Sequence, residues 1–183
     1  MAILMWIGLK KTMTDFMTQN KSDFSWNITF SSLQDLLDFG VQFGLYLDSG
    51  LVLALNGDLG SGKTTLIRSL CQGLGCSSLE FVTSPTFVLM QEYQGRFSIN
   101  HLDVYRLNNA TQFVDFGGME LFNGDGIVLI EWAEKIKCCL PKQRIEITLK
   151  VVGENERRVS VSFSGGLILP ALSAYLDKLA FTS

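Results

Sequence analysis

Residues 51–65 have the sequence LVLALNGDLGSGKTT, in which a run of apolar side chains leads into a glycine-rich segment. The continuous apolar run at 51–55 is typical of a strand that is buried on both faces of a parallel sheet. Residues 57–64 match the pattern G-x-x-x-x-G-K-[ST] at every fixed position. Apolar side chains at helical spacing then predict a helix over about 63–74, with Gly75 near its end. A strand, a glycine-rich loop and a helix in this order predict a phosphate-binding loop.

The backbone of such a loop determines what it binds. Glycine allows successive N–H groups to turn inward toward phosphate oxygens, and the helix that follows presents its positive end to the same anion. Lys63 is then expected to bridge the β- and γ-phosphates, and the Thr64 hydroxyl is expected to join the coordination shell of Mg²⁺. The alternative interpretation is an accidental glycine-rich turn, which the flanking strand and helix disfavour.

An enzyme with this loop also needs a carboxylate near the metal, usually at the end of a neighbouring buried strand. Glu131 ends the apolar run 127–130 and is the better candidate, while Asp103 ends a less uniformly apolar segment. The alternatives are a surface acid at a strand end for Glu131 and a turn or helix-cap acid for Asp103. His101 is the single histidine of the chain, and we interpret it as a structural residue outside the catalytic set.

The rest of the chain alternates between predicted strands and helices, with Ser31 as the expected N-cap of the first helix. Strands are predicted at 26–30, 51–55, 87–93, 97–102, 127–131, 144–151 and 157–163, and helices at 31–47, 63–74 and 167–181. Pro170 is expected in the first turn of the last helix. The predicted fold class is α/β, a P-loop NTPase fold with a mostly parallel central sheet flanked by helices and an antiparallel hairpin near the C-terminus.

Composition narrows the function classes. The chain has 183 residues, of which 47% are hydrophobic and 18% charged, as in a folded domain with one core. Its net charge of -3 lacks the positive excess of a stand-alone nucleic-acid binder, so contact with RNA is expected to need a partner's surface. The apolar runs are all far shorter than the ~20 residues that span a bilayer. The four cysteines have neither zinc-site nor C-x-x-C spacing, so we expect reduced thiols.

The domain organisation is expected to be simple. Residues 1–23 are interpreted as an N-terminal extension, either disordered or upstream of the true start, with Met13 and Met17 as alternative starts. The paired lysines at 10–11 follow the first apolar run rather than precede it, which does not match a secretory signal. Residues 24–183 are predicted to form a single P-loop ATPase domain.

Four segments together resemble the TsaE family, also called YjeE: GDLGSGKTT at 57–65, SPTF at 84–87, HLDVYRL at 101–107 and IEW at 130–132. The resemblance extends over about residues 26–165. It implies a P-loop α/β fold, Mg²⁺ and ATP as ligands, and a cytoplasmic location. It also implies an ATPase that is required for the N6-threonylcarbamoyladenosine (t6A) modification at position 37 of tRNAs reading ANN codons. Such an ATPase would act with the partner proteins TsaD and TsaB, and would contact tRNA only indirectly through that complex.

The resemblance further implies roles for single residues. Asp103 matches a residue that is needed for ATP hydrolysis, where it orients or deprotonates the attacking water. Residues 84–86 match a mobile, switch-like segment near the γ-phosphate. Trp132 either senses the nucleotide or packs in the core, and Arg106 either compensates phosphate charge or pairs with a carboxylate.

The predicted site therefore contains three groups of residues. The catalytic residues are Lys63, Asp103 and Glu131. The metal ligands are Thr64 and Glu131. The nucleotide is expected to bind at Asp58, Leu59, Gly60, Ser61, Gly62, Lys63, Thr64, Thr65 and Trp132.

Two other functions remain open beside Mg²⁺-dependent ATP hydrolysis. A P-loop small-molecule or nucleotide kinase shares the motif, because the loop does not specify the phosphoryl acceptor. The six arginines are scattered rather than gathered into a lid, which disfavours a kinase. A nucleotide switch that works by binding alone is disfavoured by the two acids. Hydrolysis is expected to be slow in the isolated chain, because no dedicated arginine finger stands in the pattern.

Overall fold

The computed structural model describes residues 24–180, which form a seven-stranded sheet with helices packed on it. The strands are β1 (Phe24–Phe30), β2 (Val52–Asn56), β3 (Met90–Gln94), β4 (Ser98–Asp103), β5 (Ile127–Glu131), β6 (Arg144–Val151) and β7 (Arg157–Ser164). The helices are α1 (Leu33–Leu45), α2 (Lys63–Gly73), α3 (Ala110–Asp115) and α4 (Pro170–Ala180). Short 3-10 helices span Leu79–Phe81, Gly118–Asn123 and Ala133–Ile136. The predicted extension, residues 1–23, lies outside the described residues.

The strands are arranged in the order β1-β7-β6-β2-β5-β4-β3. The four central strands, β6, β2, β5 and β4, run parallel to one another. On one side β7 and then β1 pair antiparallel, and on the other side β3 pairs antiparallel with β4. The predicted α/β class with a parallel centre is confirmed, as is the antiparallel hairpin near the C-terminus, which is formed by β6 and β7.

The carboxyl ends of the parallel strands meet at one edge of the sheet. At this edge β2 ends at Asn56, directly before the glycine-rich segment, while β4 and β5 end at Asp103 and Glu131. Asp103 is opposite Glu131 in the β4–β5 register, and Glu131 is opposite Leu55 in the β2–β5 register. The topology thus brings both predicted carboxylates to the start of α2.

The core has one apolar layer on each face of the sheet, and β2 contributes to both. Leu53 and Leu55 belong to the larger layer, which includes residues of α1, α2 and α4, whereas Val52 and Ala54 face the smaller layer around α3. This pattern is the one that a continuous apolar run predicts for a central parallel strand.

Helices α1 and α2 pack closely, and this packing holds α2 against the sheet. A Cβ atom at Gly44 would lie 2.5 Å from the carbonyl oxygen of Leu70, and one at Gly73 would lie 2.1 Å from that of Val41. Only glycine therefore permits the observed approach of the two helices at these positions. These contacts lie near the C-terminal end of α2, at the opposite end of the helix from the predicted phosphate loop.

The first helix begins one residue later than the sequence predicts. Ser32, not Ser31, is the N-cap of α1, because its extended backbone places its Oγ to accept the N–H of Asp35 at 3.1 Å. The Ser31 hydroxyl instead donates to the carboxylate of Asp35 at 3.2 Å. Two adjacent serines offer the same capping chemistry, so which of them caps α1 depends on where β1 ends and the backbone turns into the helix.

Two other elements are shorter than predicted. β3 begins at Met90 rather than at residue 87, because the chain turns at Pro85, whose carbonyl oxygen accepts the N–H groups of Val88 and Leu89. α4 begins at Pro170 rather than at residue 167, with the proline in its first turn as predicted. None of the helices within residues 24–180 combines the length and apolar character needed to cross a bilayer.

Candidate nucleotide and metal site

The segment at residues 57–62, called here the phosphate loop, connects β2 to α2 and depends on glycine. Gly57, Gly60 and Gly62 have φ values of 137°, 78° and 107°, in the region that side chains with a Cβ rarely adopt. A Cβ at Gly57 would also lie 2.3 Å from the carbonyl oxygen of Leu149. The first N–H groups of α2 have no intrahelical partner, so they and the helix dipole are available to an anion at the loop.

A cavity of about 310 Å³ opens beside the phosphate loop at the carboxyl edge of the sheet. This edge is where open α/β sheets bind their ligands. A larger cavity of about 460 Å³ lies between β1, α1 and α4 and includes none of the predicted site residues. The smaller cavity is lined by Leu59, Gly60, Gly62, Lys63, Thr64, Thr65, Ser84, Thr86, Asp103, Tyr105, Glu131 and Trp132.

Two residues predicted to bind the nucleotide do not line this cavity. Ser61 is fully buried, and its hydroxyl has no hydrogen-bond partner among the described residues. Asp58 contributes its backbone carbonyl to the inside of the loop, where it accepts the N–H of Ser61 at 3.1 Å. An unsatisfied buried hydroxyl is costly, and this one lies inside the loop, where a Cβ at Gly57 would be 2.9 Å from its Oγ.

Lys63 is the first residue of α2, and its ammonium group is folded back over the loop. Its Nζ donates to the carbonyl oxygens of Gly57 and Asp58 at 2.7 and 2.9 Å, and lies 3.6 Å from the centre of the Trp132 ring. Burial lowers the pKa of Lys63, and the negative charge of Glu131 is the first of several that oppose this shift. The positive charge is held by neutral groups that a phosphate would outcompete as a partner.

Thr64 and Glu131, the two predicted metal ligands, are in direct contact. The Thr64 hydroxyl donates to the Glu131 carboxylate, with its Oγ1 2.8 Å from Oε1 and 3.0 Å from Oε2. Glu131 is only 3% exposed, and its Oε1 also lies 3.0 Å from Nε2 of His101. The hydroxyl and carboxylate provide hard oxygen ligands at the end of the phosphate loop.

This donor set suits one kind of metal site. Within residues 24–180, no group of three or more His, Cys, Asp or Glu side chains could hold a metal alone. Mg²⁺ does not need such a group, because it is commonly held by one or two protein oxygens together with waters and substrate phosphates. Thr64 and Glu131 therefore fit Mg²⁺ that arrives with a nucleotide, and fit poorly with a resident zinc site.

Asp103, the predicted hydrolytic acid, is 2% exposed and faces the same cavity. Its Oδ2 accepts the hydroxyl of Thr86 at 2.6 Å and that of Ser84, and its Oδ1 accepts the N–H of Tyr105 at 2.9 Å. The bond to Tyr105 is the turn contact that the alternative interpretation anticipated, and the same carboxylate reaches the cavity. The predicted switch-like segment is joined to Asp103 through its hydroxyls.

Trp132 directly follows Glu131 and has a left-handed backbone, with φ at 61°. Its indole lines the cavity, packs 4.8 Å from the ring of Tyr105, and also contacts the smaller core layer. Packing against the core is thus confirmed for Trp132, its indole also lines the cavity, and sensing of the nucleotide stays a prediction.

The structure corrects one of the two interpretations of Arg106, the pairing with a carboxylate. Its guanidinium lies 4.1 Å from the centre of the Phe87 ring, and Arg106 is absent from the residues that line the cavity. Among the described residues it forms no ion pair with a carboxylate. It makes a cation–π contact with the exposed Phe87 ring instead of the predicted ion pair, and its compensation of phosphate charge stays a prediction.

Sequence reasoning missed the contact of His101 with Glu131 and the place of Tyr105 in the cavity wall. The alternation of side chains along a strand could have indicated the first, because His101 and Asp103 are two residues apart and share a face of β4. No pattern indicates the second, since Tyr105 lies in a turn after the strand has ended.

Comparison with known proteins adds a family to this geometry. A family model described as threonylcarbamoyl adenosine biosynthesis protein TsaE matches residues 30–159. A Treponema pallidum protein named tRNA threonylcarbamoyladenosine biosynthesis protein TsaE is 39% identical over 131 residues, 72% of this chain and 96% of that protein. A Bacillus subtilis protein of the same name is 41% identical over 117 residues, 63% of this chain and 72% of its own length. The crystal structure of Bacillus subtilis YdiB superimposes with a TM-score of 0.66 and 27% identity, covering 85% of this chain and 96% of that chain.

Proposed function

Because the chain belongs to the TsaE family, we propose that it is a Mg²⁺-dependent ATPase of tRNA t6A biosynthesis that acts with TsaD and TsaB in the cytoplasm. The observation that carries the ATPase proposal is the meeting of Thr64, Glu131 and Asp103 at the cavity beside the phosphate loop. Residues 24–183 are proposed to act as one ATPase domain that contacts tRNA only through its partners.

The phosphate loop and Lys63 are proposed to bind the phosphates of ATP. Lys63 has three N–H donors, two of which are now given to the carbonyl oxygens of Gly57 and Asp58. A phosphate oxygen is a stronger partner for an ammonium group than a neutral carbonyl. Bound ATP would therefore draw the ammonium group toward the cavity and away from the loop carbonyls.

Thr64 and Glu131 are proposed to hold Mg²⁺, which when bound neutralises charge on the β- and γ-phosphates. The Thr64 hydroxyl must then offer its oxygen lone pair to the ion instead of using its hydrogen on Glu131 alone. Glu131 is nearly fully buried, so its negative charge has few partners other than a cation and the two side chains that now contact it.

Asp103 is proposed to orient the water that attacks the γ-phosphate. Its carboxylate is fixed on both oxygens, by the Tyr105 N–H and by the hydroxyls of Ser84 and Thr86. A fixed carboxylate positions a water better than a free one, because positioning lowers the entropy cost of the reaction. Turnover by the isolated chain is expected to be slow, since no arginine within residues 24–180 lines the cavity.

The test is ATP hydrolysis by the purified chain, with and without Mg²⁺, followed by reconstitution with TsaD, TsaB, unmodified tRNA and an activated threonylcarbamoyl donor. We expect slow Mg²⁺-dependent hydrolysis and several rounds of tRNA modification only when the chain and ATP are both present. If the chain hydrolyses ATP but has no effect on tRNA modification, the proposed ATPase activity would stand and the proposed role in t6A biosynthesis would be rejected. Transfer of the γ-phosphoryl group to a metabolite, without modification of tRNA, would replace the proposal by the kinase alternative.

A further inference from the structure

His101 is a buried histidine that contacts the proposed metal ligand directly. It is 0% exposed and lies on β4, where it is opposite Leu129 on β5, one pair deeper in the sheet than Asp103 and Glu131. Its Nε2 is 3.0 Å from Oε1 of Glu131. The imidazole therefore packs under the carboxylate, on the side away from the carboxyl edge of the sheet.

The direction of this hydrogen bond follows from the chemistry of its partners. An ionised carboxylate only accepts, so Nε2 of His101 must carry the hydrogen. In the neutral ring Nδ1 is then an acceptor, and the Tyr93 hydroxyl lies 3.5 Å from it. Burial raises the pKa of Tyr93 to about 12, which keeps its phenol protonated and able to donate. The Tyr93 hydroxyl also lies 3.4 Å from the carbonyl oxygen of Thr83, beside the segment that reaches Asp103.

The two side chains that contact the Glu131 carboxylate differ in what Mg²⁺ would do to them. Thr64 is itself a proposed ligand, so its hydroxyl would be shared with the ion. His101 lies behind the carboxylate, 3.0 Å from Oε1, where its N–H could stay in place when a metal binds. Histidine is thus the donor that can hold one oxygen of Glu131 in place while the other faces the cavity, as partners of metal-bound carboxylates do.

We propose that His101 is a positioning residue, which holds Glu131 in the orientation that binds Mg²⁺, and that Tyr93 supports the ring from behind. This inference rests on the proposed ATPase function. A positioning role differs from ordinary packing in its consequences. Loss of packing would lower stability and leave the affinity for Mg²⁺ unchanged, whereas loss of positioning would lower that affinity.

The test compares His101→Gln with His101→Asn in the full chain. The amide N–H₂ of Gln can reach roughly the position of Nε2, whereas that of Asn reaches only the position of Nδ1. Hydrolysis rates at saturating ATP are measured against the Mg²⁺ concentration, together with Tm. Mutation of a residue that hydrogen-bonds a metal ligand typically lowers the affinity for the metal about 10- to 100-fold. We therefore expect the half-saturating Mg²⁺ concentration to rise at least about tenfold in His101→Asn and to stay within about threefold of the wild type in His101→Gln.

Two further variants separate aiming from stability. Ile145→Ala opens a cavity in the same apolar layer but on β6, opposite Leu53 and Phe163 rather than beside Tyr93 or His101, so Tm should fall while the half-saturating Mg²⁺ concentration stays unchanged. Tyr93→Phe removes the hydroxyl that lies between Nδ1 and the Thr83 carbonyl oxygen, and should raise that concentration by about two- to threefold. If His101→Asn does not fold, the comparison of Tyr93→Phe with Ile145→Ala tests the inference in its place.

The outcomes are distinct for the inference and for the function on which it rests. Folded His101→Asn with the Mg²⁺ dependence of the wild type would overturn the inference and leave the ATPase intact, as would equal impairment of the Gln and Asn variants. Should His101→Asn fail to fold, an unchanged Mg²⁺ dependence in Tyr93→Phe would also overturn it. A wild-type chain without any Mg²⁺-dependent hydrolysis would overturn the proposed function and the inference together.

Discussion

The phosphate loop and the segment at residues 84–89 border the same cavity but are held in different ways. The phosphate loop is shaped by its own backbone, with three glycines at positive φ and Lys63 bonded to two of its carbonyls. The 84–89 segment is shaped by a distant residue, because its hydroxyls and the carbonyl oxygen of Leu89 bond to Asp103. Its Phe87 side chain is 84% exposed. The comparison contrasts an element that its own backbone shapes with an element whose position depends on Asp103, the proposed hydrolytic acid.

Replacing Lys63 by Ala should give the largest effect, because it removes the positive charge that is proposed to bind the phosphates of ATP. We expect ATP binding to fall below detection and hydrolysis to fall about 100- to 1,000-fold, as when a main charge-stabilising group is lost. Binding can be measured by calorimetry, with Lys150→Ala on the exposed side of β6 as the control. Tight ATP binding by Lys63→Ala would contradict the role given to the loop.

A pair of glycines tests whether the loop backbone is required for binding rather than for stability alone. Gly60 and Gly166 have φ values of 78° and 76°, and a Cβ at either would meet nothing within 4 Å. Alanine at each should therefore cost a similar free energy of unfolding, about 1–2 kcal/mol. Only Gly60→Ala should weaken ATP binding, by about tenfold or more, because only Gly60 lines the cavity. Equal loss of ATP affinity in both variants would mean that backbone strain, and not the loop, was being measured.

In the 84–89 segment, the hydroxyl of Thr86 should matter for hydrolysis but not for binding. Thr86→Val removes the hydrogen bond to Asp103 and nearly keeps the shape, whereas Thr86→Ser keeps the hydroxyl. One hydrogen bond to a charged group corresponds to a rate change of about tenfold, so hydrolysis should slow by about that factor in Thr86→Val and change little in Thr86→Ser. The dissociation constant of ATP should stay within about twofold in both. A large loss of affinity in Thr86→Val would remove the distinction between the two elements.

The buried ammonium group of Lys63 should also have a small effect on the free energy of unfolding at alkaline pH. Burial lowers the pKa of Lys63 below its ordinary value of 10.5, so the unfolded chain binds more protons between the lowered pKa and 10.5. The free energy of unfolding of the nucleotide-free protein should therefore rise with pH across that window, relative to Lys63→Met. Urea titrations of both proteins at several pH values measure the difference. A difference that stays constant or falls with pH would contradict the cost of burying this charge.

The same contrast explains which parts of the site could be predicted. The phosphate loop and Glu131 are encoded locally, by glycines at fixed spacing and by a strand pattern that ends in an acid. The start of β3 is not encoded locally, because Leu89 has a left-handed backbone, with φ at 68°, where the pattern of apolar residues favours an extended strand. The stacking of Arg106 on Phe87 depends on where that turn places an aromatic ring, which no local pattern records.

The fold class was predictable for a related reason. Continuous apolar runs identify central strands such as β2, and alternating runs identify the β6–β7 hairpin, because burial on two faces or on one leaves different periods in the sequence. The residue that caps α1 could not be predicted, because Ser31 and Ser32 have the same side-chain chemistry and differ only in backbone position.

Glu131 provides the most direct test of the central claim that the loop binds a nucleotide and the strand-end acids support its hydrolysis. ATP binding and Mg²⁺-dependent hydrolysis are measured on the same preparations of wild type and Glu131→Gln, which keeps the shape of the side chain and removes its charge. We expect Glu131→Gln to bind ATP within about threefold of the wild-type affinity and to hydrolyse it about 100-fold more slowly. Hydrolysis at the wild-type rate by Glu131→Gln would contradict the account.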